Sequence, residues 1–234
     1  MNNSLLSFLI FLGITIAYTI ALYFLYTNEK IITGIYFIVV LIIQFTIGLF
    51  QSKQLCGEVQ SLNVLKSVLI PWTLIFGSMI IVLEVFPIIK QPFANTFGYM
   101  VARLRDVNTV FLSMMKGKGQ GIDDILTTIY KDQSLLVNTF TPWNFDDAMN
   151  ALDHLWNKQP IDERTGKPSI KAFEENKSRL RSIVQSKYEI SRILLYLFTG
   201  FFTTSITSMG LSSVECEKSP QYIQQEYSKI SSLV

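Results

Sequence analysis

The sequence predicts an all-α, multi-pass membrane protein with about four transmembrane helices and a small helical extramembrane domain. Three observations carry that expectation. Only 16% of the 234 residues are charged and 49% are hydrophobic, where a soluble domain carries roughly 25% charged residues. The deficit falls in a few long apolar runs rather than being spread along the chain. The one long polar region, residues 90–189, shows apolar residues at helical spacing.

Leu5 to Tyr26 contains no charge and matches the roughly 20 apolar residues that a bilayer core requires. A cleaved signal peptide has a basic start and a shorter apolar stretch. Neither fits, so 5–26 is expected to stay as a first span, ending in the interfacial pair Tyr23 and Tyr26. Thr27 to Lys30 is a tight turn, and 31–50 is a second span running back. Gln44 and Thr46 inside it are expected to bond a neighbouring helix.

A polar stretch, 51–66, leads to the third span, 67–87. Pro71 is expected within its first turns, where the missing N–H matters least. Glu84 is the lone acid in this apolar run, and intramembrane acids are functional suspects. It lies about one turn from Pro87, so a carboxylate reaching headgroups or water is the plainer reading.

Residues 1–89 thus hold three spans, and Ile80 to Met100 is where the chain leaves lipid. A helix capped by Asn95 or Thr96 is expected to run to about Met115. Phe97, Met100, Val101, Leu104, Val107, Phe111, Met114 and Met115 would share its apolar face. Lys116 to Gly121 lacks the spacing and the preceding strand of a phosphate-binding loop and reads as a linker. Ile122 to Tyr130 is a short helix. Another, started by Thr141-Pro142 or Asn144, carries the stripe Phe145, Ala148, Met149, Leu152, Leu155 and Trp156. After the turn-rich Asn157 to Pro168, Ser169 caps a last helix. No breaker separates it from the fourth span, 190–211. One helix of on the order of 60 Å, at 1.5 Å per residue, would then run from the domain into the bilayer. Arg192 in the span's first turn can snorkel outward, and the hydroxyls further on can bond their own helix. A polar tail, 212–234, follows.

Four spans put the 51–66 loop and the tail on one face, and 90–189 on the other. The second face carries Lys30, Lys90, Arg103, Arg105, Arg179, Arg181 and Lys187 near the membrane. The first has Lys53, Lys66, Lys218 and Lys229, so the positive-inside rule favours 90–189 as cytosolic. Cys56 and Cys216 share the first face. There they either pair, if that face is a lumen, or stand as free thiols; spacing alone gives no distance between them.

Chemistry is sparse. The single histidine, His154, has no second histidine or cysteine nearby and reads as a surface residue, so no catalytic triad, metal site or cofactor site is predicted. Asp123/Asp124, Asp146/Asp147 and Glu174/Glu175 are adjacent in sequence, so on a helix each pair diverges. A net charge of +2 gives no case for nucleic acid. A channel or carrier would repeat polar groups along several spans, and only Gln44, Glu84 and Arg192 qualify. What remains is a non-enzymatic, membrane-anchored structural or interaction protein, with a small channel using Glu84 as the alternative.

Two stretches resemble a known family. LEVFPIIKQPFANTFGY (83–99) is similar to a motif of the form LE-[IV]-FP-…-PF-x-NT-x-GY. IYKDQSLLVNTFTPWNFDDAMNAL (129–152) is similar to a second block with SLL-x-N-x-x-T and then NFD. Both occur in a membrane protein shared by large icosahedral double-stranded DNA viruses of algae and protists. The blocks cover under a fifth of the chain, and Ile88-Ile89 stand where the family often has Gly-Trp. The resemblance implies a minor capsid or virion inner-membrane protein that anchors the capsid shell to a bilayer derived from host endoplasmic reticulum. Residues 90–189 would face the cytosolic, capsid side and touch capsid or minor capsid proteins. Phe86, Pro87, Pro92, Phe93, Asn95, Thr96, Phe97 and Gly98 would form a structural exit turn, not a catalytic site.

Overall fold

A computed structural model describes residues 3–24, 29–116, 133–160, 167–213 and 216. Their regular structure is helical, apart from isolated bridges of which Met115–Trp156 is one. The chain divides into two compact units, Met1–Val85 with Leu195–Val234, and Phe86–Leu194. Four helices are long and apolar enough to cross a membrane. The protein is therefore an all-α membrane protein with about four spans.

In the first unit the helices are Asn3–Phe24, Glu29–Cys56 and Ser61–Val85, joined by the end of the long helix Ile170–Ser212. The usual inside-out rule is relaxed here. Ile38, Ile42, Leu74, Ile81, Phe198 and Phe202 point outward, as suits side chains facing hydrocarbon. The interior is aromatic: Phe11, Tyr36, Trp72, Phe76 and Tyr196 are buried. Phe11 meets Phe76 edge-on at 5.4 Å, and Phe76 meets Tyr196 at 5.8 Å. Gly200 permits this packing, since a Cβ there would lie 2.1 Å from the Phe11 ring.

Neutral hydrogen bonds join the first two helices. Ser7 Oγ donates to Gln44 Oε1, Gln44 Nε2 donates to the Ser7 carbonyl (3.2 Å), and the Thr15 and Tyr36 hydroxyls pair at 2.9 Å. Gln44 thus does what was expected of it. Thr46 does not: its hydroxyl is exposed and bonds the Ile42 carbonyl of its own helix. Thr203, Thr204 and Ser205 likewise bond back to their own helix.

Pro71 also departs from expectation. The helix begins at Ser61 rather than near residue 67, so Pro71 is well inside it. The turns that follow, Trp72–Gly77, widen to a π-helix, a local adjustment that absorbs a missing donor without breaking the rod. Gly57, with φ of 78°, ends the second helix, the left-handed position where a missing Cβ matters. Cys56 is joined to Cys216 by a disulfide with Cα atoms 5.3 Å apart, which resolves the open choice between paired and free thiols.

The second unit has a conventional apolar core. Val107, Phe111, Met114, Val137, Phe140, Phe145, Met149, Trp156, Leu180 and Val184 are among its buried members. Trp156 Nε1 donates to the Met149 carbonyl at 2.8 Å, so its polar edge is satisfied. The stripe from Phe145 to Trp156 is as expected, though the α-helix stops at Ala151 and a 3-10 turn carries Leu155. The Asn144 and Thr141 side chains each accept from the other's backbone N–H, and Ser169 Oγ accepts from Ala172 N–H. Residues 117–132, with most of the expected linker, the helix 122–130 and Asp123/Asp124, lie outside the described residues. So do Tyr26 with the start of the 27–30 turn, and nearly all of the tail.

Candidate functional site

The proline-rich exit is not a capped restart. Helical turns run from residue 87 to 104 with changing pitch: 3-10 at Pro87–Lys90, α at Gln91–Phe93, π at Ala94–Gly98 and α again at Tyr99–Leu104. Pro87 falls at the first position of its helical segment, where no backbone donor is lost, and Pro92 falls at the second position of the short α segment that follows. Because turns already precede them, neither Asn95 nor Thr96 caps anything. Thr96 Oγ donates backward to the Pro92 (2.9 Å) and Phe93 (3.3 Å) carbonyls.

The expected apolar face is also corrected. Phe97, Met100 and Leu104 are 46%, 64% and 84% exposed, while Ala94, Gly98 and Ala102 are buried. Small residues every fourth position let the exit helix approach the long helix closely. A Cβ on Gly98 would stand 2.4 Å from the Lys187 carbonyl oxygen. The helix then breaks at Asp106, whose φ of 57° is left-handed. That break resets the helical phase, so Val107, Val110, Phe111 and Met114 face the core although 97, 100 and 104 do not.

Asn95 is turned toward Lys187. The Lys187 ammonium is wholly buried and donates to Asn95 Oδ1 (3.1 Å), Asn138 Oδ1 (3.0 Å) and the Val137 carbonyl (3.4 Å). No carboxylate among the described residues pairs with it. Burial holds its pKa down at about 8, since desolvation disfavours the charged form. Three segments therefore meet on one cation: the exit helix, the 137–138 turn and the long helix. Nearby, Ser191 Oγ donates to the Lys90 carbonyl at 2.6 Å, and Tyr99 bonds Asn108. Arg105 reaches Ser182 and Ser186. Trp143 packs edge-on to Tyr188 at 5.0 Å, and burial raises the Tyr188 phenol to about 12.

The amine is enclosed, among the described residues, by two side-chain amide oxygens and a backbone carbonyl. Among the described residues no group of three metal-ligating side chains assembles. His154 is exposed on its 3-10 turn. Asp146 bonds Arg181, which holds its carboxyl below the usual range.

Glu84 is half-buried in its span, and its Oε1 is enclosed without a hydrogen-bond partner among the described residues. Arg192 does not snorkel: it is buried and ion-paired to Glu189, because the helix starts well before it and neighbours enclose that face. Lys187 was visible in the sequence only as one charge in a topology count. The signal that could have found it is a lysine on the apolar spacing Leu180–Val184–Tyr188, one residue off the stripe. Comparison with family models, with curated proteins and with solved structures returns no match for this chain.

Proposed function

We propose that this chain is a structural virion membrane protein that anchors a capsid layer to the bilayer beneath it. The observation that carries the reading is the convergence at Lys187. Asn95 comes from the first of the two stretches that resemble the viral family, and Asn138 comes from the second. Two short motifs, whose asparagines lie 43 residues apart, thus share one physical task, the fastening of a helical head. A fastened head whose described residues assemble no metal-ligating cluster suits a docking element.

Two further points support the orientation of this reading. Disulfides persist in oxidising compartments, so the Cys56–Cys216 face fits the lumen of the endoplasmic reticulum. With that face luminal, four crossings would leave residues 90–189 on the cytosolic, capsid side, which the basic residues also favour. Purified virions should contain the protein in fixed proportion to minor capsid proteins. Mild cross-linking should join residues 90–189 to one of them. Recovery from host membranes alone, with none in virions, overturns the reading.

A second reading, a small ion channel, has one observation in its favour: the enclosed, unpartnered Glu84 oxygen. Reconstituted protein would then conduct, and Glu84→Gln would change the current. Electrically silent bilayers remove it.

A further inference from the structure

The start of the exit helix carries several exposed large apolar residues. Phe86, Ile88, Ile89 and Phe97 are all exposed, and Phe93 stacks on Phe97 with ring centres 6.2 Å apart. Exposed large apolar residues clustered along a short surface stretch mark an interaction site. We propose that this stretch is a foot that beds in the headgroup layer of the protein's own membrane, with a preference for anionic lipid.

Three observations choose lipid as the occupant. The first is continuity. The stretch begins at Phe86, the residue directly after the third span ends at Val85. The second is height. The Lys90 carbonyl is bonded to Ser191, in the first turn of the fourth span as read from the sequence. Trp143, half-exposed, rests on Tyr188 within a turn of the same point, and tryptophan favours the membrane interface. The third is charge. Over the stretch from Phe86 to Phe97 the sequence carries Lys90 and no acid. Aromatic and aliphatic groups beside a basic one suit an anionic interface.

The contact has an upper limit. Arg105 bonds Ser182, nine residues above Ser191 on the long helix, a rise of about 14 Å. The headgroup layer is only about 5–8 Å deep on each side. Lipid therefore covers the stretch from Phe86 to Phe97, and Leu104 stands clear of it.

The test places a spin label at Ile88→Cys, Phe97→Cys or Ile170→Cys in the full chain. The native cysteines are oxidised and take no label. Each variant is reconstituted in nanodiscs of phosphatidylcholine with or without phosphatidylserine. Labels at 88 and 97 should collide more with oxygen than with a water-soluble nickel chelate, whereas the label at 170 should favour nickel. Phosphatidylserine should raise the oxygen-to-nickel ratio at 97, and Lys90→Gln should remove that rise. Nickel-dominated collisions at 88 and 97 overturn the foot. So does poor access by both reagents, which would mean a protein cover such as a second copy. A ratio insensitive to phosphatidylserine overturns the anionic preference.

Discussion

The two units solve the burial of polar groups in opposite ways. In the membrane unit the inter-helix hydrogen bonds are neutral: Ser7 with Gln44, Thr15 with Tyr36, Tyr18 with Thr33. Large apolar side chains face outward, and an aromatic interior sets the fit. The Phe86–Leu194 unit turns its apolar residues inward and fastens three segments on a buried cation. Hydrocarbon gives no reward for hiding apolar surface, so the spans rely on shape and on paired neutral groups. Water rewards that burial, which leaves a margin within which a desolvated lysine can be tolerated.

The comparison is broken most sharply by large truncations. Trp156→Ala should lower the stability of the second unit by about 3–5 kcal/mol, read by denaturant melts of the detergent-solubilised protein. Phe202→Ala, on an outward face of a span, should stay within about 0.5 kcal/mol. Equal losses would mean that Phe202 is buried in an assembly.

Close packing comes next. Gly98→Ala should lower stability by about 1–3 kcal/mol, the usual range for forced overpacking. The clash there is with the backbone of Lys187, so a side-chain rotation cannot relieve it. A thermal melt unchanged by the substitution would contradict the observed approach.

Lys187→Met should cost about 1–3 kcal/mol, because two amide oxygens and a carbonyl lose their donor. The pH dependence sharpens the assignment. The folded-state pKa is about 8, against 10.5 for the ordinary group. Between those values the unfolded chain binds more protons, so stability should rise with pH across that window. Below pH 8 the penalty is constant. Lys187→Met should flatten the rise, and a rise that persists in the variant would assign it elsewhere.

The smallest effect is expected at the surface. Asp146→Asn should leave the melt nearly unchanged at high salt, because the Arg181 pair is exposed. At low salt its contribution should fade as pH drops through the depressed carboxyl pKa. A salt-independent loss would show that Asp146 has a structural role beyond the pair.

Much of this fold was legible in the sequence because membrane spans are written in bulk composition. Each expected span falls on a long apolar helix, the fourth on the later part of the 43-residue helix Ile170–Ser212. The site was legible only in part. Pro87, Pro92 and Gly98 announced a constrained exit. The role of Asn95 was hidden, since a polar residue before a helical pattern reads as a cap unless its distant partner is known. The wrong face of 97, 100 and 104 has a local cause. A single left-handed residue, Asp106, shifts the phase, and non-glycine residues in that conformation leave little trace in sequence. The Cys56–Cys216 pairing was left open between disulfide and free thiols because 160 residues separate the two, and only the packed helices bring them together.

On the proposed topology a single crossing, Ser61–Val85, lies between Cys56 and the start of the helical head. The disulfide and the head should therefore stand in different compartments. A membrane-impermeant thiol reagent applied to sealed microsomes tests this most directly, using Ile170→Cys with the native pair kept. The introduced thiol should be labelled from outside, whereas Cys56 and Cys216 should react only after reduction and permeabilisation together. Labelling of the introduced thiol and the reduced native pair from the same side, in vesicles still sealed, would contradict the account.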